Sequence, residues 1–295
     1  MTSGLDLITR KWWRAVGRPV DLGGEHSWLD APMSPGSVVR DGWLGDAAAR
    51  AGGQVHEDVP GAGLIAHLSS LDGPGFDAAD LTPVVRDFYE HTSDWRMEVW
   101  TGWRPVFQPG GELVSRLFGR RVEQLALPTR PLDVARGMDS RVSLITDATG
   151  AQSAAGWLRT LRATGEYVYS GCYSHRLLPG ADRPSVHVAF PLQRGNVQVF
   201  LRPDVDPDGS LWLRSAGGAF GVDGAYVVVE EGGSTYAAAV PIREQFHVYV
   251  DDEGVLRTDH ELRLWSAEVV RLHYKLEPRP AAEPPAAVGG TTGLL

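Results

Sequence analysis

From Gly156 onward, apolar and polar residues alternate with a period of two, the pattern of strands that bury one face. Gly156–Ala163 and Glu166–His175 read as one hairpin. Ser185–Pro191 and Asn196–Pro203 read as a second, turning at Arg194-Gly195. Leu211–Arg214, Ala225–Glu230, Gln245–Asp251, Val255–Leu264 and Val269–Leu276 follow as further strands. Asp208-Gly209 and Glu253-Gly254 stand where tight turns need positive φ, which glycine adopts without steric cost. A meander of about nine short strands loses its exposed edges by curling into a barrel or half-barrel, or by wrapping around a helix.

Before this region the period is three to four. Pro83 suits a first helical turn, and Val85, Phe88, Thr92, Trp95 and Val99 recur on one stripe, so a helix is expected from about Leu81 to residue 100. A shorter helix is expected over 38–51, ended by Gly52-Gly53, and another from about Glu112 through Leu113, Val114, Leu117 and Phe118. Residues 125–150 read mostly as loop, 1–36 as irregular, and the Pro- and Ala-rich 277–295 as disordered. The expected fold class is α+β: an antiparallel meander curled into a barrel or half-barrel, covered by helices from the N-terminal half. The expected organisation is an N-terminal segment 1–75, a helical cover 76–150, the β-domain 151–276 and a tail 277–295.

Composition narrows the setting. The net charge of −9 argues against general nucleic-acid binding, which needs a basic face. All but Lys11 and Lys275 of the 28 basic residues are arginine, a bias that fits a GC-rich genome. A single cysteine, Cys172, leaves no internal disulfide and points to a reducing compartment. No apolar run follows Lys11, Arg14 and Arg18 to make a secretory signal, so a cytoplasmic protein is expected.

Familiar motifs give little. Gly61-Ala62-Gly63-Leu64-Ile65-Ala66 matches a loose dinucleotide fingerprint but follows Pro60 and opens no βαβ unit, so it reads as a loop. Asp204, Asp206, Asp208 and Gly209 begin like a calcium loop, but Ser215 stands where a bidentate glutamate belongs, and an acidic turn explains them. The nine histidines show no zinc spacing, and neither a serine-nucleophile signature nor a phosphate-binding loop occurs. No cofactor and no metal is expected.

The remaining chemistry lies in alternation. His247 shares a strand face with Tyr249, and His187 stands on another strand. If those faces line the interior, His247 would be an acid/base, Tyr249 a hydrogen-bond donor and His187 a neighbour; the same alternation is met if they face solvent. Tyr167, Tyr169 and Tyr173 share a face with Gly171 and suit a cavity wall or ordinary packing. His91, in a cluster with Glu90, Asp94 and Trp95, would offer a general acid or base at the barrel mouth with Trp95 in the pocket, or else the cluster is a solvated face or ion-pair network. The aromatic and arginine-rich 95–121 suits a helical pair docked on the sheet; a membrane surface is the less favoured alternative.

Val85-Arg86-Asp87-Phe88-Tyr89-Glu90-His91-Thr92, Trp95, Val99-Trp100, Phe107 and Gln124-Leu125, with Gly254 to His260 and Leu272-His273-Tyr274, resemble an uncharacterised bacterial family, the soluble end of YndJ-like membrane proteins. The resemblance implies no activity, and this chain lacks the membrane spans of those relatives. Two function classes follow from the residues themselves. One is a cofactor-independent isomerase, cyclase or lyase acting on a hydrophobic small molecule. The other is a non-catalytic binder of a lipid or apolar ligand.

Overall fold

Alternation becomes one large antiparallel sheet. The computed structural model describes residues 11–34, 36, 39–103, 137–162, 164–217 and 219–280. Its strands are β1 (Arg18–Pro19), β2 (Val55–His56), β3 (Trp95–Trp103), β4 (Met138–Thr146), β5 (Gln152–Leu161), β6 (Tyr167–Arg176) and β7 (Ser185–Leu192). They continue as β8 (Gly195–Val205), β9 (Leu211–Arg214), β10 (Ala225–Glu231), β11 (Ser234–Val240), β12 (Ile242–Val250), β13 (Leu256–Leu264) and β14 (Ala267–Pro278).

The main path runs β2-β4-β5-β6-β7-β8-β9-β12-β13-β14-β3. Strand β8 belongs to two ladders on one side: its first half pairs with β10, and Arg202–Val205 pairs with β9. From that split β10, β11 and β1 leave as a wing. The sheet curls but does not close, since β3 and β4 share no ladder. Arg279 spans the seam between them, donating to the Trp95 carbonyl at 3.2 Å and the Ser140 carbonyl at 2.7 Å.

Two expected elements differ. The helix Pro83–Glu90 stops before His91, and after the short turn Thr92–Asp94 the chain enters β3 instead of continuing to residue 100. Trp95, Met97 and Val99 fit a period of two as well as the helical stripe. The nine-residue strand gains a full ladder with β14, from Pro278↔Trp95 to Val270↔Trp103, and that long-range pairing outweighs local spacing. Likewise Met138–Thr146, expected within a loop, pairs with β5 along its length. The helix expected from Glu112 and most of the tail lie outside the described residues.

Among the described residues no helical layer covers the sheet. The helix Leu44–Ala51, ended as expected by Gly52 at φ 72°, packs with Trp43 on the outer face against Ile145, Leu158, Cys172 and Ala189. Gly156 permits this approach: a Cβ there would sit 2.6 Å from the Leu44 side chain. Trp28 and Leu29 pack on the neighbouring outer surface against Phe200, Tyr226 and Val228, so β7 is buried on both faces. Among the described residues, the inner face is met by the mainly irregular stretch 59–81 and the helix Pro83–Glu90. This plug is docked through Gly209, whose carbonyl accepts from Thr82 N–H at 3.0 Å; at φ 79°, with Thr82 where a Cβ would go, that position admits glycine. Among the described residues no helix is long and apolar enough to cross a membrane.

Candidate functional site

Curling brings the inward residues of nearly every strand around one space. It has a volume of about 220 Å³, and its wall is mostly aliphatic and aromatic: Val188 and Phe190 of β7, Val197 and Val199 of β8, Phe246 of β12 and Leu272 of β14 are representative. Phe88 and Tyr89 from the plug complete one end. On the scale in which about 150 Å³ accommodates benzene, this space holds one ring with a short substituent.

Polar groups in the wall are few. Arg159, on β5, is 7 % exposed. Its guanidinium carbon lies 4.4 Å from the Trp157 ring centre and 4.1 Å from that of Tyr169, with Tyr274 at 6.0 Å. These ring faces stabilise the charge through their quadrupoles. One terminal nitrogen meets only the Met97 thioether at 3.1 Å, and Nε has no hydrogen-bond partner. Tyr169 and Tyr173 share a hydrogen bond of 2.7 Å between their hydroxyls. Burial pushes the Tyr169, Tyr173 and Tyr274 phenols above their ordinary range, while Arg159 pulls each back in part. They are therefore neutral donors at physiological pH.

Across the wall, His260 and Glu244 form a pair, Nε2 to Oε2 at 3.2 Å, and the imidazole stacks on Phe246 with ring centres 3.8 Å apart. The other imidazole nitrogen, Nδ1, is buried with no partner. Thr258, Glu244 and His260 lie on adjacent strands at neighbouring ladder positions, Glu244↔Leu262 and Val248↔Thr258 bracketing Phe246↔His260. A carboxylate, an imidazole, a guanidinium and the four phenols of Tyr89, Tyr169, Tyr173 and Tyr274 thus line one apolar space. Such a set can bind, orient and exchange a proton with a small molecule held out of water. Among the described residues no group of three or more His, Cys, Asp or Glu side chains is placed to hold a metal ion.

The residues singled out from sequence separate into three places. Tyr169 and Tyr173 line the cavity. Tyr167 does not: an extra residue in β6 pairs Arg159 with Tyr169 but Thr160 with Tyr167, and this bulge turns Tyr167 to the outer face, where its hydroxyl donates to Asp41 at 3.1 Å. Trp95 lies in the surrounding apolar core, its indole N–H donating to Asp87 at 3.0 Å, and is not in the cavity wall.

His247 and Tyr249 are on the outer face, since β12 sends Ile242, Glu244 and Phe246 inward. His247 stacks on Trp212 at 4.0 Å and approaches the Ser210 hydroxyl at 3.1 Å, and the Tyr249 hydroxyl donates to Asp259 at 3.3 Å. His187 is also turned outward but is fully buried beneath the N-terminal strap, bonded to Ser174 and Gln198, each at 2.9 Å, and stacked on Phe200. Burial lowers its pKa to about 3, so it is neutral. His91 ends the helix Pro83–Glu90 as a half-exposed partner of Asp87, 2.9 Å away. It takes no part in the cavity.

Arg159, Glu244, His260 and Tyr274 were missed, although β13 and β14 signal His260 and Tyr274. Leu256, Thr258, His260, Leu262 and Val270, Leu272, Tyr274, Leu276 form apolar faces. The opposite faces carry Arg257, Asp259, Glu261, Arg263 and Arg271, His273, Lys275, Glu277. No family model matches the chain, and no curated protein or solved structure matches it either.

Proposed function

We propose that this protein binds a hydrophobic small molecule inside its curled sheet. The observation that supports the reading most is the partly open space of about 220 Å³ inside the curl, walled by apolar side chains from strands all around the sheet and provided with a few gathered polar groups. Apolar walls with a small number of oriented polar groups are the usual make-up of a ligand site. Methyl NMR of the full chain, titrated with toluene, indole and cyclohexanol, tests it. Shifts are expected at Val186, Val188, Val197 and Val199 on the inner face and not at Val228, on the outer face. No shift at the inner valines with any of the three overturns the reading.

A second reading, proton-transfer catalysis of the isomerase, cyclase or lyase kind, is favoured by the unpartnered Nδ1 of His260 beside the Nε2–Glu244 contact. When Nε2–H donates to Glu244, the carboxylate fixes the tautomer and leaves Nδ1 as a proton acceptor. Cyclohexanone in deuterium oxide is a suitable probe. Accelerated exchange of its α-hydrogens by the wild type, lost in His260→Gln, is the expected result. No acceleration leaves the non-catalytic binder as the function.

A further inference from the structure

We propose that the occupant of this cavity is an amphipathic acid whose carboxylate sits on Arg159. The inference rests on the ligand-binding reading above and names the class of ligand.

A guanidinium withdrawn from water is costly unless its donors and its charge are matched. Arg159 has no countercharge and only part of its donors matched, one of them by the Tyr274 hydroxyl. Its Nε bonds to nothing, one terminal nitrogen meets a sulfur, and no carboxylate oxygen lies within 4.0 Å among the described residues. The protein provides its other buried arginine differently. Arg183, 3 % exposed, donates to the carbonyls of Pro74 and Pro203 and to Asp204 at 2.9 Å. The chain therefore meets the charge and terminal nitrogens of Arg183 with a carboxylate and carbonyls, leaving only Nε over, and has placed no carboxylate beside the guanidinium inside the cavity.

What surrounds Arg159 fits an anion. The rings of Trp157 and Tyr169 support the cation without neutralising it. The planar fork of N–H groups matches the two oxygens of a carboxylate. Tyr169 and Tyr274, with ring centres 4.1 and 6.0 Å from the Arg159 guanidinium carbon, and Tyr173, bonded to the Tyr169 hydroxyl, add hydroxyl groups kept neutral by burial. Glu244, the one acidic side chain in the wall, is engaged by His260. The apolar remainder of the space takes the body of the ligand, limited by volume to a ring with a short substituent or an equivalent alkyl group.

Calorimetric titration with 4-ethylbenzoate and 4-ethylbenzyl alcohol at pH 7, a pair alike in shape and different in charge, tests the proposal. The acid is expected to bind the wild type at least tenfold more tightly, about 1.4 kcal/mol. Arg159→Met should bring the acid to the affinity of the alcohol while leaving the alcohol unchanged, which also shows that the variant is folded. Arg159→Lys, retaining charge without the fork, should keep part of the preference. Equal binding of acid and alcohol by the wild type, or a preference for the acid that survives in Arg159→Met, overturns the anionic ligand while leaving the pocket reading intact. Binding of neither compound overturns the pocket reading itself.

Discussion

The outer and inner faces of this one sheet each bury a histidine, and the protein treats the two differently. On the outer face His187 has both ring nitrogens bonded, to Ser174 and Gln198, and Gln198 passes the connection to the Leu29 carbonyl at 2.7 Å and to Asn196. That layer fastens the N-terminal strap to the sheet and leaves no imidazole nitrogen over. On the inner face His260 has one nitrogen bonded and one free, against a space with room for a guest. A similar division holds for arginine: carbonyls and Asp204 meet the charge and terminal nitrogens of Arg183 at the plugged end, Nε excepted, and Arg159 is left among rings in the cavity without a carboxylate. Of these four side chains, His187 and Arg183 are bonded mainly from within the fold, whereas His260 and Arg159, in the cavity wall, keep more of their hydrogen-bonding capacity unfilled.

The contrast breaks most visibly at the two arginines. Arg183→Met strands the Pro74 and Pro203 carbonyls in a buried place and should cost roughly 3 kcal/mol, read as a lower midpoint in urea. Arg159→Met replaces a mismatched buried charge by an apolar side chain of similar length, and the midpoint should stay the same or rise. Equal destabilisation by both would erase the distinction.

His187 sharpens it through pH. Its folded pKa near 3 lies below the ordinary value of about 6.5, so the unfolded chain takes up this proton first as the pH falls. Its contribution to stability is complete above about pH 6.5 and is lost toward pH 3, at up to about 1.4 kcal/mol per pH unit. His187→Gln should therefore lose less stability than the wild type between pH 6.5 and 4.5, measured by denaturation at both. The smallest effect belongs to His91. Its contact with Asp87 is half exposed, so His91→Ala should change stability by no more than about 0.5 kcal/mol.

Much of this architecture was legible in the sequence, because a period of two survives wherever one face is apolar. The hairpins β5–β6 and β7–β8 and the strands β9, β12, β13 and β14 lie within a few residues of where alternation puts them. The local pattern was insufficient at β3, where Trp95 and Val99 fit both periods and only the distant β14 decides. The two tyrosines Tyr169 and Tyr173 were found in the wall, whereas the bulge that turns Tyr167 away leaves no mark in a single sequence. On β12 the faces were weighed by chemistry: His247 and Tyr249 drew attention, although Ile242, Phe246 and Val248 make the opposite face the more apolar and so the inner one. Glu244 and His260 ride inward with that face. Reading which side is apolar, before asking which side is reactive, finds them.

Diffraction from crystals held under xenon pressure tests directly whether the inner face surrounds usable space. Xenon enters dry apolar cavities and marks them with strong density. A peak is expected among Phe190, Val199, Phe246 and Leu272, and it should vanish in Val188→Trp, which fills the same space. Crystals that take up no xenon inside the sheet, with those four side chains packed against one another, would contradict it.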